Sequence, residues 1–305
     1  MEFLRFLECI RTPLGDWLMS WVTHLGEETL FMVISLIFFW CIDKKRGYFL
    51  LFTGFIGTVC VQILKMAFRI PRPWVLDPEF TIVESARAEA TGYSFPSGHT
   101  QCAVNLYGGM ARSSRHRAVQ IGGIVLALLI AFSRMYLGVH TPLDVLTSVA
   151  IGSTLVLLLY PLMQKALQKP MLMYALIGGA LVLSFINLLF VELYAFPSDV
   201  DAVNLANARD VAWKMCFAVL GMCILYPLDL YVLKFDTRAV WWAQILKLAG
   251  GTALILAVRV LLKQPLNFLL GEFLGGGVRY FLMVIAAGVI WPLTFPFFSR
   301  LGKKK

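Results

Sequence analysis

Apolar runs near or above the roughly 20 residues that a helix needs to cross a bilayer recur along the whole length of this chain. No other feature limits its fold so strongly. The runs predict spans near 28–42, 47–68, 97–113, 118–136, 142–163, 170–190, 209–229, 239–262 and 278–298. Of these nine, 28–42 and 97–113 are short. Residues 1–25 read differently, because Arg5, Glu8, Arg11 and Asp16 interrupt the apolar stretches and Pro13-Leu14-Gly15 breaks them. That pattern suits interfacial helices better than a span or a cleaved leader. With 59% hydrophobic and only 15% charged residues, a soluble chain is excluded. The expected fold is all-α, a polytopic integral membrane helical bundle of about nine transmembrane helices plus N-terminal interfacial helices.

Orientation follows from the short loops. Lys44-Lys45-Arg46, then Arg112, Arg115 and Arg117, then Lys165 and Lys169, then Lys234 and Arg238, and finally Arg300 with Lys303-Lys304-Lys305 all fall at alternate span ends. By the positive-inside rule these face the cytoplasm. Residues 69–96 and 191–208 then face away from it. Much of the formal charge of +9 is explained by such anchors and by three further cations discussed below, so no nucleic-acid partner is expected. Cys9, Cys41, Cys60, Cys102, Cys216 and Cys223 show no paired ligand spacing and read as free thiols.

Three clusters carry chemistry. Lys65 is followed after six residues by Arg72-Pro73; Pro96-Ser97-Gly98-His99 comes next; Ser133-Arg134 is followed by His140 and then Asp144. Lys65, Arg72 and Arg134 supply three cations, two of them planar forks suited to phosphate oxygens. Pro96 to His99 opens an apolar segment, where a glycine lets helix N-terminal N–H groups approach an oxyanion and Ser97 can add its hydroxyl. Thr141-Pro142 is a second helix start, with Thr141 as N-cap. That puts His140 just outside the helix and Asp144 in its first turn, where it can hold one ring nitrogen and leave the other free to attack.

In residue type, order and spacing these clusters resemble the signature of the type 2 phosphatidic acid phosphatase superfamily, a group of membrane phosphatases and their relatives. The resemblance implies that His140 attacks phosphorus to give a phosphohistidine, that His99 protonates the leaving oxygen, and that Asp144 orients His140. Lys65, Arg72, Ser97, Gly98 and Arg134 bind the phosphate in this scheme. It requires no metal and no cofactor, and no carboxylate or Cys/His cluster at ligand spacing suggests one. Arg69, one turn after Lys65, either reaches the same anion or anchors at the interface. His24 and His116 read as structural hydrogen-bonders. Glu84, Arg87 and Glu89 read as a solvated loop, with headgroup contact as the alternative.

The expected division is a catalytic core with its interfacial start over 1–164 and an additional four-span region over 165–305. The second carries Gly178-Gly179 and Gly250-Gly251 for close helix approach, an outer loop with Gly275-Gly276-Gly277, and the deep charge Lys247, paired with Asp229 or snorkelling. A site at the outer surface favours a lipid phosphate or pyrophosphate, of undecaprenyl diphosphate, phosphatidic acid or sphingoid phosphate type. Trp74-Val75-Leu76-Asp77 and the nine-span layout are similar to the glucose-6-phosphatase branch, which keeps sugar phosphate open. Transfer to a lipid or sugar hydroxyl, and lipid-phosphate transport, are the other readings. The carboxyl end does not fit dilysine retrieval spacing, so a bacterial plasma membrane is expected.

Overall fold

The computed structural model describes residues 1–301, and among them there is no strand. The basic tail Lys303–Lys305, read above as cytoplasmic, lies outside the described residues. The helices are α1 (Glu2–Cys9), α2 (Pro13–His24), α3 (Glu28–Ile37, extended by a π turn to Ile42), α4 (Lys44–Phe68), α5 (Pro73–Leu76), α6 (Gly98–Ala103) and α7 (Gly109–Ser113). They continue with α8 (Arg117–Tyr136), α9 (Pro142–Ala166), α10 (Pro170–Leu193), α11 (Ala202–Leu228), α12 (Trp241–Leu261), α13 (Lys263–Leu270), α14 (Glu272–Ile285) and α15 (Phe295–Arg300).

Seven helical stretches among the described residues are long and apolar enough to cross a membrane: 44–76, 117–136, 142–166, 170–193, 202–233, 241–261 and 272–300. The bent pair α2 and Glu28–Ile42, with a 48° break, raises this to eight if it crosses as one. Length and composition thus mark seven or eight of the nine expected spans, and two segments account for the difference. Residues 98–113 form α6, a π turn and α7, a short segment whose Thr100, Gln101 and Asn105 are buried polar residues. Residues 28–42 are one limb of the bent pair. Ahead of them α1 and α2 are separate short helices, and Trp17 and Trp21 on α2 are exposed, as expected of aromatic residues lying at an interface.

Two compact units are formed. The first comprises Met1–Met32, Phe52–Leu162 and Ala195–Ala208; the second comprises Val33–Leu51, Met163–Tyr194 and the chain from Arg209 onward. In the first unit α8 turns Ala127, Ile130, Ala131 and Arg134 inward and leaves Ile121, Ile124, Val125 and Leu128 exposed. An apolar outer face of this kind is what lipid solvates, whereas water would penalise it. Gly57 on α4 allows α6 to approach, since a methyl group there would strike the amides of Asn105 and Gln101. The loop after α5 is pinned by the N-terminal helices. Arg5 binds Asp77 at 2.7 Å, Arg11 donates to the carbonyl of Thr81 at 2.7 Å, and Leu4 and Leu7 pack on Phe80.

The second unit revises several readings of isolated charges and glycines. Lys44 is more than an interface anchor, because its ammonium pairs with Asp229 at 2.9 Å and lies over the ring of Phe235. Tyr48 donates to the other oxygen of Asp229. Lys247 therefore is not the partner of Asp229: it donates to the Thr237 carbonyl at 2.9 Å and faces the Phe295 ring, which satisfies a buried ammonium locally. Gly275, Gly276 and Gly277 lie inside α14 instead of a loop. Gly250 and Gly251 do admit a close neighbour, Trp291, while Gly178 and Gly179 face open space. All six cysteines are free thiols.

Candidate active site

Two helix starts and one helix end converge in the first unit. At the first start, Ser97 is the N-cap of α6 and its hydroxyl oxygen accepts from the Thr100 amide at 3.4 Å and from the Thr100 hydroxyl at 3.0 Å. The helix begins at Gly98, so Pro96 precedes the cap instead of occupying the first helical position. Ser97 is fully buried and caps the helix, whereas Gly98 and His99 line a cavity of about 210 Å³. A methyl group on Gly98 would meet nothing within 4 Å. The fold thus does not demand glycine there, and the space it leaves belongs to the cavity.

At the second start, Thr141 and Asp144 cap each other. The Thr141 amide donates to Asp144 Oδ2 at 2.7 Å and the Asp144 amide donates to Thr141 Oγ1 at 3.3 Å, a reciprocal arrangement that fixes the carboxylate. Ser94 Oγ donates to the same oxygen at 2.6 Å. That oxygen lies 3.4 Å from His140 Nδ1, which assigns the ring proton to Nδ1 and leaves the Nε2 lone pair unprotonated. His140 Nε2 is 2.9 Å from Arg72 Nη1. Burial pushes the imidazole well below its ordinary pKa, and the charges of Arg72, Arg134 and Lys65 push it the same way. It is neutral at neutral pH, the form a nucleophile needs.

The end of α8 supplies Arg134. The amides of Val139 and His140 both donate to its carbonyl, at 3.2 and 3.3 Å, so the arginine and the histidine are closed into one turn. Gly138 makes that turn with φ of 80°, and a methyl group there would meet Arg11 and Phe80 at under 3 Å. The Arg134 side chain is fully buried, donates from Nη1 to Thr23 Oγ1 at 2.6 Å, and keeps Nε and Nη2 without a protein partner. Two unpaired guanidinium donors in an apolar body are costly unless an anion meets them.

Arg72 and Lys65 complete the clamp. Arg72 donates to the carbonyls of Gly92, Val139 and Thr91 at 3.1, 3.0 and 2.7 Å, and Lys65 donates to the Tyr93 carbonyl. The loop 91–93 is thereby tied to both cations. Lys65, Arg72, Gly98, His99, Arg134 and His140 all line the one cavity; Asp144 stands behind His140 and does not. Arg69 sits apart, against the ring of Phe196 at 5.9 Å.

Several residues around the site are not marked by any motif. Glu89 lines the cavity and receives His99 Nε2 at 3.3 Å and His24 Nδ1 at 3.1 Å. The hydrogen bond from His99 is the first cause holding its carboxyl down at about 2, with burial opposing and the charges of His24, His99 and Arg134 assisting. Glu27 also contacts His24, and the ligand-type atoms of His24, Glu27 and Glu89 lie within 4.8 Å of one another. This trio is a hydrogen-bonded network around a half-exposed imidazole. Thr23 and Ser94 hold Arg134 and Asp144 from elsewhere in the chain. Asn207 lines the cavity and comes from the segment 195–208, which Phe196 fastens to Arg69 and whose Asp201 amide meets the Tyr93 hydroxyl at 3.3 Å. Sequence spacing cannot flag an asparagine so distant from the motifs.

Residues 46–168 match the sequence profile of the PAP2 superfamily. An undecaprenyl-diphosphatase of Bacillus subtilis is 29% identical over 139 residues, which are 45% of this chain and 69% of that protein. A sphingosine-1-phosphate phosphatase 2 of Homo sapiens is 27% identical over 151 residues, 48% of this chain and 37% of that protein. Among solved structures, LpxE of Aquifex aeolicus aligns with a TM-score of 0.45 at 27% identity, covering 52% of this chain and 92% of that one.

Proposed function

From a chain that belongs through residues 46–168 to the PAP2 superfamily, and whose three buried cations face one neutral histidine, we propose a membrane phosphatase that cleaves a lipid phosphate through a phosphohistidine. The observation that carries this reading is the pairing of Arg134 Nε and Nη2, both unpartnered, with His140 Nε2 in the same cavity. Phosphate oxygens would take the free donors of Arg134 and draw Arg72 and Lys65, which frees the His140 lone pair from Arg72. The nitrogen–phosphorus bond then forms as the ester P–O bond breaks. The electron pair stays on the leaving oxygen, which takes a proton from His99. Asp144, held by Ser94 and Thr141, stabilises the charged imidazole. Water next attacks phosphorus, the N–P bond breaks, and His99 receives the proton of that water.

Three protein cations supply the charge stabilisation that a divalent ion provides elsewhere. Activity is accordingly expected to survive excess chelator, and vanadate is expected to inhibit as a mimic of five-coordinate phosphorus. Loss of activity in chelator, restored by added magnesium or zinc, would refute the scheme and direct attention to the His24, Glu27 and Glu89 trio. Relatives named for undecaprenyl diphosphate and sphingosine 1-phosphate support a lipid substrate, as does an apolar exterior that lets a chain stay in the bilayer while its headgroup reaches the cavity.

Our topology has nine crossings, with 28–42 and 97–113 as short ones, and places the site on the extracytoplasmic face of a bacterial plasma membrane. The basic residues at 44–46, 112–117, 165–169 and 234–238 support it. In a variant lacking native cysteines, cysteine at Glu84 or Asp199 should react with an impermeant thiol reagent in sealed cells and cysteine at Arg115 should not. Labelling confined to Arg115 would invert the orientation. The catalytic core is assigned to 1–164, and the additional region 165–305 contributes Asn207 to the cavity wall.

A further inference from the structure

The clamp accounts for the phosphoryl group; the remaining cavity wall bears on what the phosphate is attached to. Resting on the phosphatase reading above, we infer that the leaving-group end of the cavity is a hydrogen-bond-accepting subsite, built from Glu89, Gln101 and Glu28, for a phosphomonoester whose leaving group carries an ammonium or hydroxyl donor close to the ester oxygen. A diphosphate is disfavoured there.

The argument starts from His99. If His99 gives its Nε2 proton to the leaving oxygen, that oxygen must approach the proton now shared with Glu89 Oε2 at 3.3 Å. The leaving group therefore arrives beside a carboxylate, which is ionised at neutral pH. In a diphosphate the atom bonded to the leaving oxygen is a second phosphorus, and its negative oxygens would meet that carboxylate in a confined, poorly solvated space. Like charges so placed repel one another unless a cation intervenes. Lys65, Arg72 and Arg134 are the cavity's permanently cationic lining residues; the scheme commits all three to the transferred group, and His99 loses its charge when its proton passes to the leaving oxygen. His24 already contacts Glu89 and Glu27.

Two further groups share the acceptor character of Glu89. Gln101 lies two residues after His99 on α6 and lines the cavity; it is 2% exposed. Its Nε2 is spent on Asn105 Oδ1 at 2.9 Å, and that bond fixes the amide so that Oε1 is the free end. Gln101 Oε1 is buried without a protein partner, so it lacks a donor. Glu28, at the start of α3, adds a second carboxylate to the lining. An amine or hydroxyl one or two carbons from the ester oxygen supplies donors to such a wall; a plain alkyl chain supplies none, and a second phosphate supplies only acceptors.

The test uses the full-length protein in detergent and four substrates of equal chain length: an alkyl phosphate, a 1,2-diol 1-phosphate, a 2-amino alcohol 1-phosphate and an alkyl diphosphate. The diol and amino alcohol phosphates are expected to exceed the alkyl phosphate in kcat/KM by about tenfold or more, the gain of one well-placed hydrogen bond. The diphosphate is expected to fall at least about tenfold below the alkyl phosphate. A preference for the amino over the diol compound identifies the carboxylates as the dominant acceptors, and equal preference identifies Gln101. Glu89→Gln should narrow the gap between amino alcohol phosphate and diphosphate by about tenfold, with an aryl phosphate assayed alongside to separate any disturbance of His99. A diphosphate turned over as well as the amino alcohol phosphate, or donors without effect on kcat/KM, would overturn the subsite while leaving the phosphatase standing. If none of the four is hydrolysed by protein that still elutes as a single species, the phosphatase reading fails and the subsite falls with it.

Discussion

His140→Ala is expected to retain neither turnover nor a phosphorylated enzyme with any substrate, whereas His99→Ala is expected to fail selectively. The difference follows from their positions. His140 Nε2 carries the lone pair, because Nδ1 is turned to Asp144 at 3.4 Å, and no other imidazole lining the cavity has such a carboxylate behind it: His99 instead shares its Nε2 with Glu89. A leaving-group acid contributes about 10²–10⁴-fold when the leaving oxygen is basic. His99→Ala should therefore lose about that much on an alkyl phosphate, and much less on an aryl phosphate, whose oxygen leaves without a proton. Acid-labile labelling by a phosphate-labelled substrate separates the two variants. If His140→Ala becomes labelled and His99→Ala does not, the nucleophile is His99 and the chemistry runs in the opposite sense.

The sequence makes these two histidines visible because both stand at helix starts, and a helix start has a local signature. Thr141-Pro142 foretells a cap, and the reciprocal Thr141 and Asp144 bonds fill it. Lys65, Arg72 and Arg134 are visible through their order and spacing relative to these two helix starts; Lys65 taken alone would read as an interface anchor. What the sequence hides is everything brought in by tertiary folding. Glu89 belongs to a polar loop without periodicity, indistinguishable by pattern from a solvated one, yet it meets both His99 and His24. Thr23 lies on an interfacial helix, and its hydroxyl matters only because α2 packs where α8 ends. Asn207 comes from the second half of the chain. The proposed crossing at 97–113 falls short of a plain span for a physical reason as well: its residues are apolar in composition, but Thr100, Gln101 and Asn105 are buried in the bundle around the site. Hydropathy alone does not distinguish a helix buried in protein from one bathed in lipid.

Arg134→Lys should cost nearly as much as losing a catalytic group, although it keeps the charge. Arg134 is held at one end by Thr23 Oγ1 at 2.6 Å, which leaves Nε and Nη2 as an oriented pair of donors. Lysine presents one ammonium on a flexible stem and cannot satisfy Thr23 and two phosphate oxygens from the same fixed plane. Loss of two charge-assisted hydrogen bonds at about 1.5–3 kcal/mol each corresponds to roughly 10²–10⁴-fold in kcat/KM. Thr23→Val separates orientation from charge. It removes no donor from the phosphate but frees the guanidinium to rotate, and a loss of about tenfold is expected. Thr23→Val preserves side-chain bulk and Arg134→Lys keeps the charge and aliphatic stem, so helical content and elution should match the parent, and kinetics on an aryl phosphate read the clamp independently of His99. A variant Arg134→Lys with kcat/KM within a few-fold of the parent would mean that the transferred phosphoryl group rests on Lys65 and Arg72 alone. The buried, half-satisfied guanidinium of Arg134 would then be a structural tie between α2 and α8.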